Sequence, residues 1–206
     1  MSTKQKGDKN KMEQIDYFDS DFNYIGQTSI DDIHQRGLWH QTVAFWLYNA
    51  DRKAVYLQLR GPKNRVGANT FDASAGGHLS ATETKEDGFR ELYEELGVKV
   101  GDVQAHYIGY FKNIIRLPNY INNEFCHIYV VRTNKTLNDF VLQEGEVTNL
   151  FELHIEHMDD LLAGDKITIH SKIGFKKITI QNMCAYQERI ENGYYQKVFN
   201  KIKELI

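Results

Sequence analysis

Three glutamates, Glu91, Glu94 and Glu95, stand at i, i+3 and i+4 in the segment TKEDGFRELYEELGV. Wound as a helix over residues 84–96, the segment puts these carboxylates on one side. Phe89, Leu92, Tyr93 and Leu96 then gather on the other side, spaced to dock on a core, and Gly97 sits where a left-handed C-cap would end the helix. Like charges on one helical turn repel by about a few tenths of a kcal/mol per pair. Such a cluster is therefore either a solvated acidic face or a cradle for a cation. Hard divalent cations take oxygen ligands and bridge them to phosphates. The neighbouring Gly76, Gly77 and Arg90 favour the second use.

The elements that must position these groups follow from the hydrophobic pattern. Trp39–Asn49 (WHQTVAFWLYN) is apolar and aromatic, and Ala54–Arg60 (AVYLQLR) alternates, so the two read as a hairpin across Ala50, Asp51 and Arg52. The loop GPKNRVGAN carries Lys63 and Arg65, and residues 71–75 read as a short strand leading to a loop opened by Gly76, Gly77 and His78. Beyond the acidic helix, residues 104–116 and 123–132 read as long strands joined across Leu117, Pro118 and Asn119, and residues 149–154 as another. A helix over 155–162 stops at Gly164, one amphipathic helix runs over 176–192, and another from Tyr194 to the end. Upstream, residues 15–25 read as a small hairpin and residues 29–35 as a short helical turn ended by Gly37. Strands on both sides of a central helix, with helices at the end, specify an α/β layered domain with a mixed sheet.

The stretch from Gly76 to Val98 resembles the Nudix box, whose pattern is GxxxxxE, seven spacer residues, then REUxEExGU with U aliphatic. Arg90, Glu91, Leu92, Tyr93, Glu94, Glu95, Leu96, Gly97 and Val98 match the second half at every position. The first half departs from the pattern by one residue. Counted from Gly77, its glutamate is Glu83, but only six residues then precede Arg90; counted back from Arg90, the register falls on Thr82 and Gly76.

The chain is thus identified as similar to the Nudix (MutT-like) hydrolase superfamily over about residues 38–165. The resemblance implies an α/β/α sandwich with a mixed β-sheet, here with extra C-terminal helices. It implies magnesium, replaceable by manganese, held by Glu91, Glu94 and Glu95, with Glu83 and Glu124 as further candidate ligands and Glu144 and Glu146 as other outside carboxylates. Metal ions neutralise phosphate oxygens and make a bound water a better nucleophile. In that scheme Glu91 is a ligand or the general base, Glu94 a ligand, and Arg90 orients the carboxylates through a charge-assisted pair. Gly76 and Gly77, candidate substrate contacts, let the loop turn tightly and bring backbone close to the metal site. The expected activity is hydrolysis of a diphosphate linkage in a nucleoside diphosphate derivative or similar small molecule.

A second resemblance runs through WHQTVAFWLYN, GGHLS and NNEFC, which look like the isopentenyl-diphosphate isomerase branch of the same superfamily. His40, His78 and Glu124 fall on metal-ligand positions of that branch. Its catalytic cysteine is replaced here by Gly76 and its other ligand glutamate by Asn122, so hydrolysis is expected over isomerisation. His40 and His78 stay candidate substrate contacts, as do Lys63 and Arg65. A catalytically silent Nudix-fold module that binds a nucleotide or regulates a partner is the remaining alternative.

Composition narrows the class. Of 206 residues, 41% are hydrophobic and 26% charged, which suits an ordinary soluble domain with a proper core. A net charge of -3 argues against a nucleic-acid footprint. Two cysteines, Cys126 and Cys184, make neither a disulfide framework nor a zinc site. With no signal-like segment and no apolar run that could span a bilayer, a cytoplasmic setting is expected. Residues 1–14, polar and lysine-rich, read as a disordered leader, and residues 15–206 as a single domain. The C-terminal helices offer apolar surface that a homodimer could use.

Overall fold

The computed structural model describes residues 13–99, 101 and 103–206. The expected leader lies outside the described residues except for Glu13 and Gln14, and Gln14 already belongs to the first strand.

A hairpin of β1 (Gln14–Phe18) and β2 (Tyr24–Ser29) opens the chain, followed by α1 (Ile30–Arg36). The strands β3 (Trp39–Asn49), β4 (Ala54–Arg60), β5 (Phe71–Asp72) and β6 (Ala75–His78) come next, then α2 (Arg90–Leu96). After it run β7 (Gln104–Leu117), β8 (Tyr120–Arg132), β9 (Val147–His154) and α3 (Met158–Ala163). The chain finishes with β10 (Ile167–Ser171), β11 (Gly174–Ile178), α4 (Tyr186–Glu191) and α5 (Tyr194–Leu205). No helix among the described residues is long and apolar enough to cross a membrane.

β3 is the axis of a mixed sheet. Along one edge it pairs in parallel with β8, from Trp39 opposite Asn123 to Tyr48 opposite Arg132. Its antiparallel partners are taken in succession: β1 at Trp39 and His40, β6 from Thr42 to Phe45, and β4 at Tyr48 and Asn49. The continuous apolar run of β3 is what a strand covered on both faces requires. Val43, Phe45 and Leu47 enter a core closed by Leu92 and Leu96 of α2, together with Tyr129 and Val131 of β8. Ala44, Trp46 and Tyr48 enter the opposite core, closed by Val198, Phe199 and Ile202 of α5 and by Met158 and Leu161 of α3. The period of two along β3 thus generates the α/β/α layering.

Several local expectations shift. The helix expected over 84–96 is a seven-residue helix beginning at Arg90, preceded by a 3-10 turn over Asp87–Phe89. Thr84 and Asp87 bond to each other there, the Thr84 amide and hydroxyl donating to the Asp87 carboxylate at 2.8 and 2.7 Å, which favours a turn over a longer helix. Gly97 ends the helix in the left-handed region at φ 67°, as expected. Tyr93, expected on the core face, is 59% exposed. The amphipathic helix expected over 176–192 is replaced by the second strand of the β10–β11 hairpin, a 3-10 turn over Ile180–Asn182 and the short α4. Ile167 and Ile169, both buried, alternate with exposed or half-buried neighbours, a pattern with a strand's period. The strand expected over 71–75 divides into β5 and β6.

Candidate functional site

Glu91 and Glu95 face inward from α2, only 9% and 8% exposed, while Glu94 points out to solvent. The acidic face read from the sequence is therefore split: its i, i+4 pair is buried against β6 and its middle member is not. Gly76 and Gly77 lie in β6, paired to Ala44 and Val43, not in a tightly turning loop. Their lack of a side chain serves close approach. A Cβ on Gly77 would sit 2.2 Å from Glu91 Oε1, and one on Gly76 would sit 2.5 Å from the Val43 carbonyl oxygen. The Gly76 amide donates to Glu95 Oε2 at 3.2 Å, and Gln58 Nε2 approaches the same oxygen at 3.5 Å.

Burial in this wall disfavours charge on both carboxyls. It pushes Glu91 up to about 7, against the pull of Arg90, and Glu95 to about 8, where the charge of Glu91 adds to the effect. Arg90 binds the cluster together. Its Nη1 donates to Glu91 Oε1 at 2.6 Å and Glu94 Oε2 at 3.2 Å, while Nε and Nη2 donate to the two Glu83 oxygens at 3.0 and 3.2 Å. Glu83 also accepts the Ser80 amide at 2.8 Å, so the residue short of the pattern still reaches Arg90. Glu83 stands here as the clamp of Arg90. The buried pair, ill suited to bearing two uncompensated charges, fits a divalent cation.

A second group adjoins it. His34 from α1, His40 from β3 and His78 from β6 bring one ring nitrogen each within 4.8 Å of the others. All three Nε2 atoms are buried without a hydrogen-bond partner. His40 Nδ1 lies 3.1 Å from the Leu38 carbonyl and donates to it, leaving Nε2 as a lone-pair donor toward the cluster. Burial holds His34 down to about 4 and lowers His40 and His78 likewise, so the imidazoles are neutral near pH 7. Three converging neutral imidazoles fit a transition-metal ion. Glu124 stands close by, its oxygens accepting from Asn122 Nδ2 at 2.5 Å and Asn113 Nδ2 at 3.2 Å. His78 joins the two groups: its ring is in the triad, and its carbonyl accepts Arg90 Nη2 at 2.9 Å.

Beside the imidazole group lies a cavity of about 340 Å³ lined by His34, His78, Glu124, Lys63, Arg65 and Glu146, among others. The loop after β4 thus delivers both of its sequence-singled cations to the cavity wall, where the Arg65 guanidinium lies 4.7 Å over the Tyr120 ring. Glu146 is on that wall, whereas Glu144 is not among its residues. Two further arginines line the cavity. Arg60 Nη1 and Arg189 Nη1 both donate to Asp72, at 3.3 and 2.5 Å. Asp72 is buried, yet the Arg189 and Arg60 charges outweigh burial and hold it below the usual carboxylate range. His34, Arg60, Asp72 and Arg189 were not singled out by spacing, because α1, β4, β5 and α4 meet only in the folded chain.

No family model matches the chain. It is 34% identical over 148 residues to an uncharacterized Nudix hydrolase of Clostridium acetobutylicum, covering 71% of this chain and 72% of that protein. It is 28% identical over 178 residues to Nudix hydrolase 3 of Arabidopsis thaliana, covering 84% of this chain but 21% of the plant protein. A crystal structure of a Deinococcus radiodurans protein shares the fold at a TM-score of 0.59 and 22% identity, covering 74% of this chain and 91% of that one.

Proposed function

Because the chain belongs to the Nudix hydrolases, acting on phosphoric anhydrides, we propose that it cleaves a diphosphate linkage with magnesium held by Glu91, Glu94 and Glu95. The observation that carries this reading is the buried Glu91–Glu95 pair pressed on the two glycines of β6. A bound cation would supply Lewis-acid stabilisation of phosphate charge and a more acidic water. Around it, Arg90 fixes the Glu91 carboxylate through a 2.6 Å ion pair. Burial raises Glu91 toward neutrality in the metal-free chain, and a bound cation would hold it ionised as a ligand. Lys63, Arg65 and Arg60 face the cavity where a diphosphate's anionic oxygens would lie. His34, His40 and His78 would hold a second cation beside the first, with Glu124 adjoining.

Isomerisation in the manner of the related branch lacks its cysteine at Gly76 and its glutamate at Asn122, and Cys126, the thiol in the cavity beside β6, is pushed up to about 12 by burial. The test is release of phosphate or monophosphate from a magnesium-supplemented panel of nucleoside polyphosphates, nucleotide sugars, dinucleotides, coenzyme A and organic diphosphates. Turnover that disappears in Glu95→Gln supports the hydrolase. Tight binding of a panel member without turnover would replace it with the silent binding module.

A further inference from the structure

The cavity beside the imidazole triad has a neighbour at its outer end. Val66, Ile115 and Cys184 line it and also line a second depression, a groove of about 730 Å³ between the tip of the β7–β8 hairpin and the segment leading into α4. The two therefore adjoin across these three side chains, a charged inner cavity beside a larger outer groove. Chemistry changes across the shared wall. On the β7 side of the groove stand Ile114, Ile115 and Leu117; on the C-terminal side stand Met183, Ala185 and Tyr186. Ile114 and Leu117 are 40% and 43% exposed, apolar side chains left uncovered beside the charged cavity. Tyr186 is the one aromatic ring among the groove's lining residues, so the pair of faces that would sandwich a nucleobase is not built there.

The charges sort in the same direction. In the inner cavity Arg60, Lys63, Arg65 and Arg189 balance Asp31, Asp72, Glu124 and Glu146, and any cation bound at the imidazoles makes that end positive. The groove holds Glu188 and Glu191 against the single Arg116. Glu188 is fixed there by accepting the Ile114 amide. A second anionic group in the groove would meet two carboxylates.

From this adjacency and charge distribution, and resting on the hydrolase reading above, we infer that the substrate is a diphosphate ester of an uncharged, largely apolar organic group, which lies in the groove. In the reaction, a water oxygen bonds to one phosphorus while the bridging P–O bond breaks. The organic group leaves as its monophosphate together with inorganic phosphate, and the two water protons are shared between the phosphate products and solvent. The C-terminal segment is then the outer half of the substrate site.

Binding reads this separately from turnover. Methyl, pentyl and decyl esters of methylenediphosphonate, whose P–C–P bridge cannot be hydrolysed, are titrated by calorimetry into the full chain with magnesium. Affinity rises about fourfold per methylene buried in the groove, at least a hundredfold from methyl to decyl, and a decyl ester ending in a second phosphate binds at least tenfold more weakly than plain decyl. Leu117→Glu, at an exposed position, flattens the chain-length gradient. Equal affinities for methyl and decyl esters, or an unchanged gradient in Leu117→Glu, would overturn the inference. The corresponding diphosphates are assayed for phosphate release in parallel. Graded binding with no turnover of any of them sinks the hydrolase reading alone, while turnover with no gradient sinks the groove alone.

Discussion

Removing the charge of Glu95, by pH or by substitution, should stabilise the metal-free protein. Burial and the neighbouring Glu91 push this carboxyl to about 8 in the fold, whereas in the unfolded chain it titrates near 4.3. A group whose folded pKa is raised contributes stability that is full at low pH and is lost as pH rises through the folded value. At pH 7 a carboxyl with a pKa of about 8 is about nine-tenths protonated, and at pH 9 about nine-tenths ionised. The unfolded group is ionised at both. The folding constant therefore drops about tenfold across this interval, or about 1.4 kcal/mol, which lowers Tm by about 3–6 °C in a domain of this size. Glu91, pushed to about 7, acts in the same direction at lower pH. The buried His34 and His127, held down to about 4, act oppositely but have finished by about pH 7.5. The buried Cys126 and Cys184, pushed up to about 12 and 11, add a loss of their own as pH passes the unfolded thiol value of about 8.5. The assay is thermal unfolding in EDTA at pH 7 and pH 9, wild type against Glu95→Gln, whose amide keeps an acceptor for the Gly76 amide. The wild type should lose the carboxylate share of the difference on saturation with magnesium at pH 9, because the cation binds the ionised carboxylates. A wild-type Tm equal at the two pH values, or a drop that persists undiminished in Glu95→Gln, would show that the carboxyl is neither dry nor crowded.

Three other perturbations test separate parts. Gly77→Ala places a methyl where a Cβ meets Glu91 Oε1 at 2.2 Å; turnover should fall at least about tenfold with Tm little changed, and full activity would remove the close-approach argument. Leu96→Ala, at a fully buried position, should cost roughly 2–5 kcal/mol in a urea titration, and an unchanged midpoint would contradict the packing of α2. Arg189→Ala leaves Asp72 with Arg60 alone and should cost roughly 3–5 kcal/mol; a variant as stable as wild type would mean that Arg60 suffices.

What could be read from the residues was what local periodicity carries. The Gly97 cap and the apolar, aromatic strand β3 are each set within a dozen residues, and they stand in the fold as read. The inward turn of Glu91 and Glu95 was not legible, because helical spacing places them opposite Leu92 but says nothing of a glycine strand ready to receive them. His34 escaped for a related reason: its spacing to His40 and His78 has no meaning until α1, β3 and β6 share one end of the sheet. At 176–192 the period was misread. Lysines at 176 and 177 lie on an exposed strand whose inward side is supplied by Ile178 and by the partner strand's Ile167 and Ile169.

The bond from Arg189 to Asp72 spans 117 residues. Such a pairing closes a very long loop, and contacts of that separation form late because chain entropy must be lost first. Until α4 docks, a half-assembled sheet carries Asp72 with Arg60 as its only guanidinium neighbour. That end of the sheet stays wet, and the cavity wall is unfinished. On a ribosome, the carboxylates of α2 and the imidazole triad would therefore be made before the cavity wall beside the triad is complete, since α4 follows them in the chain.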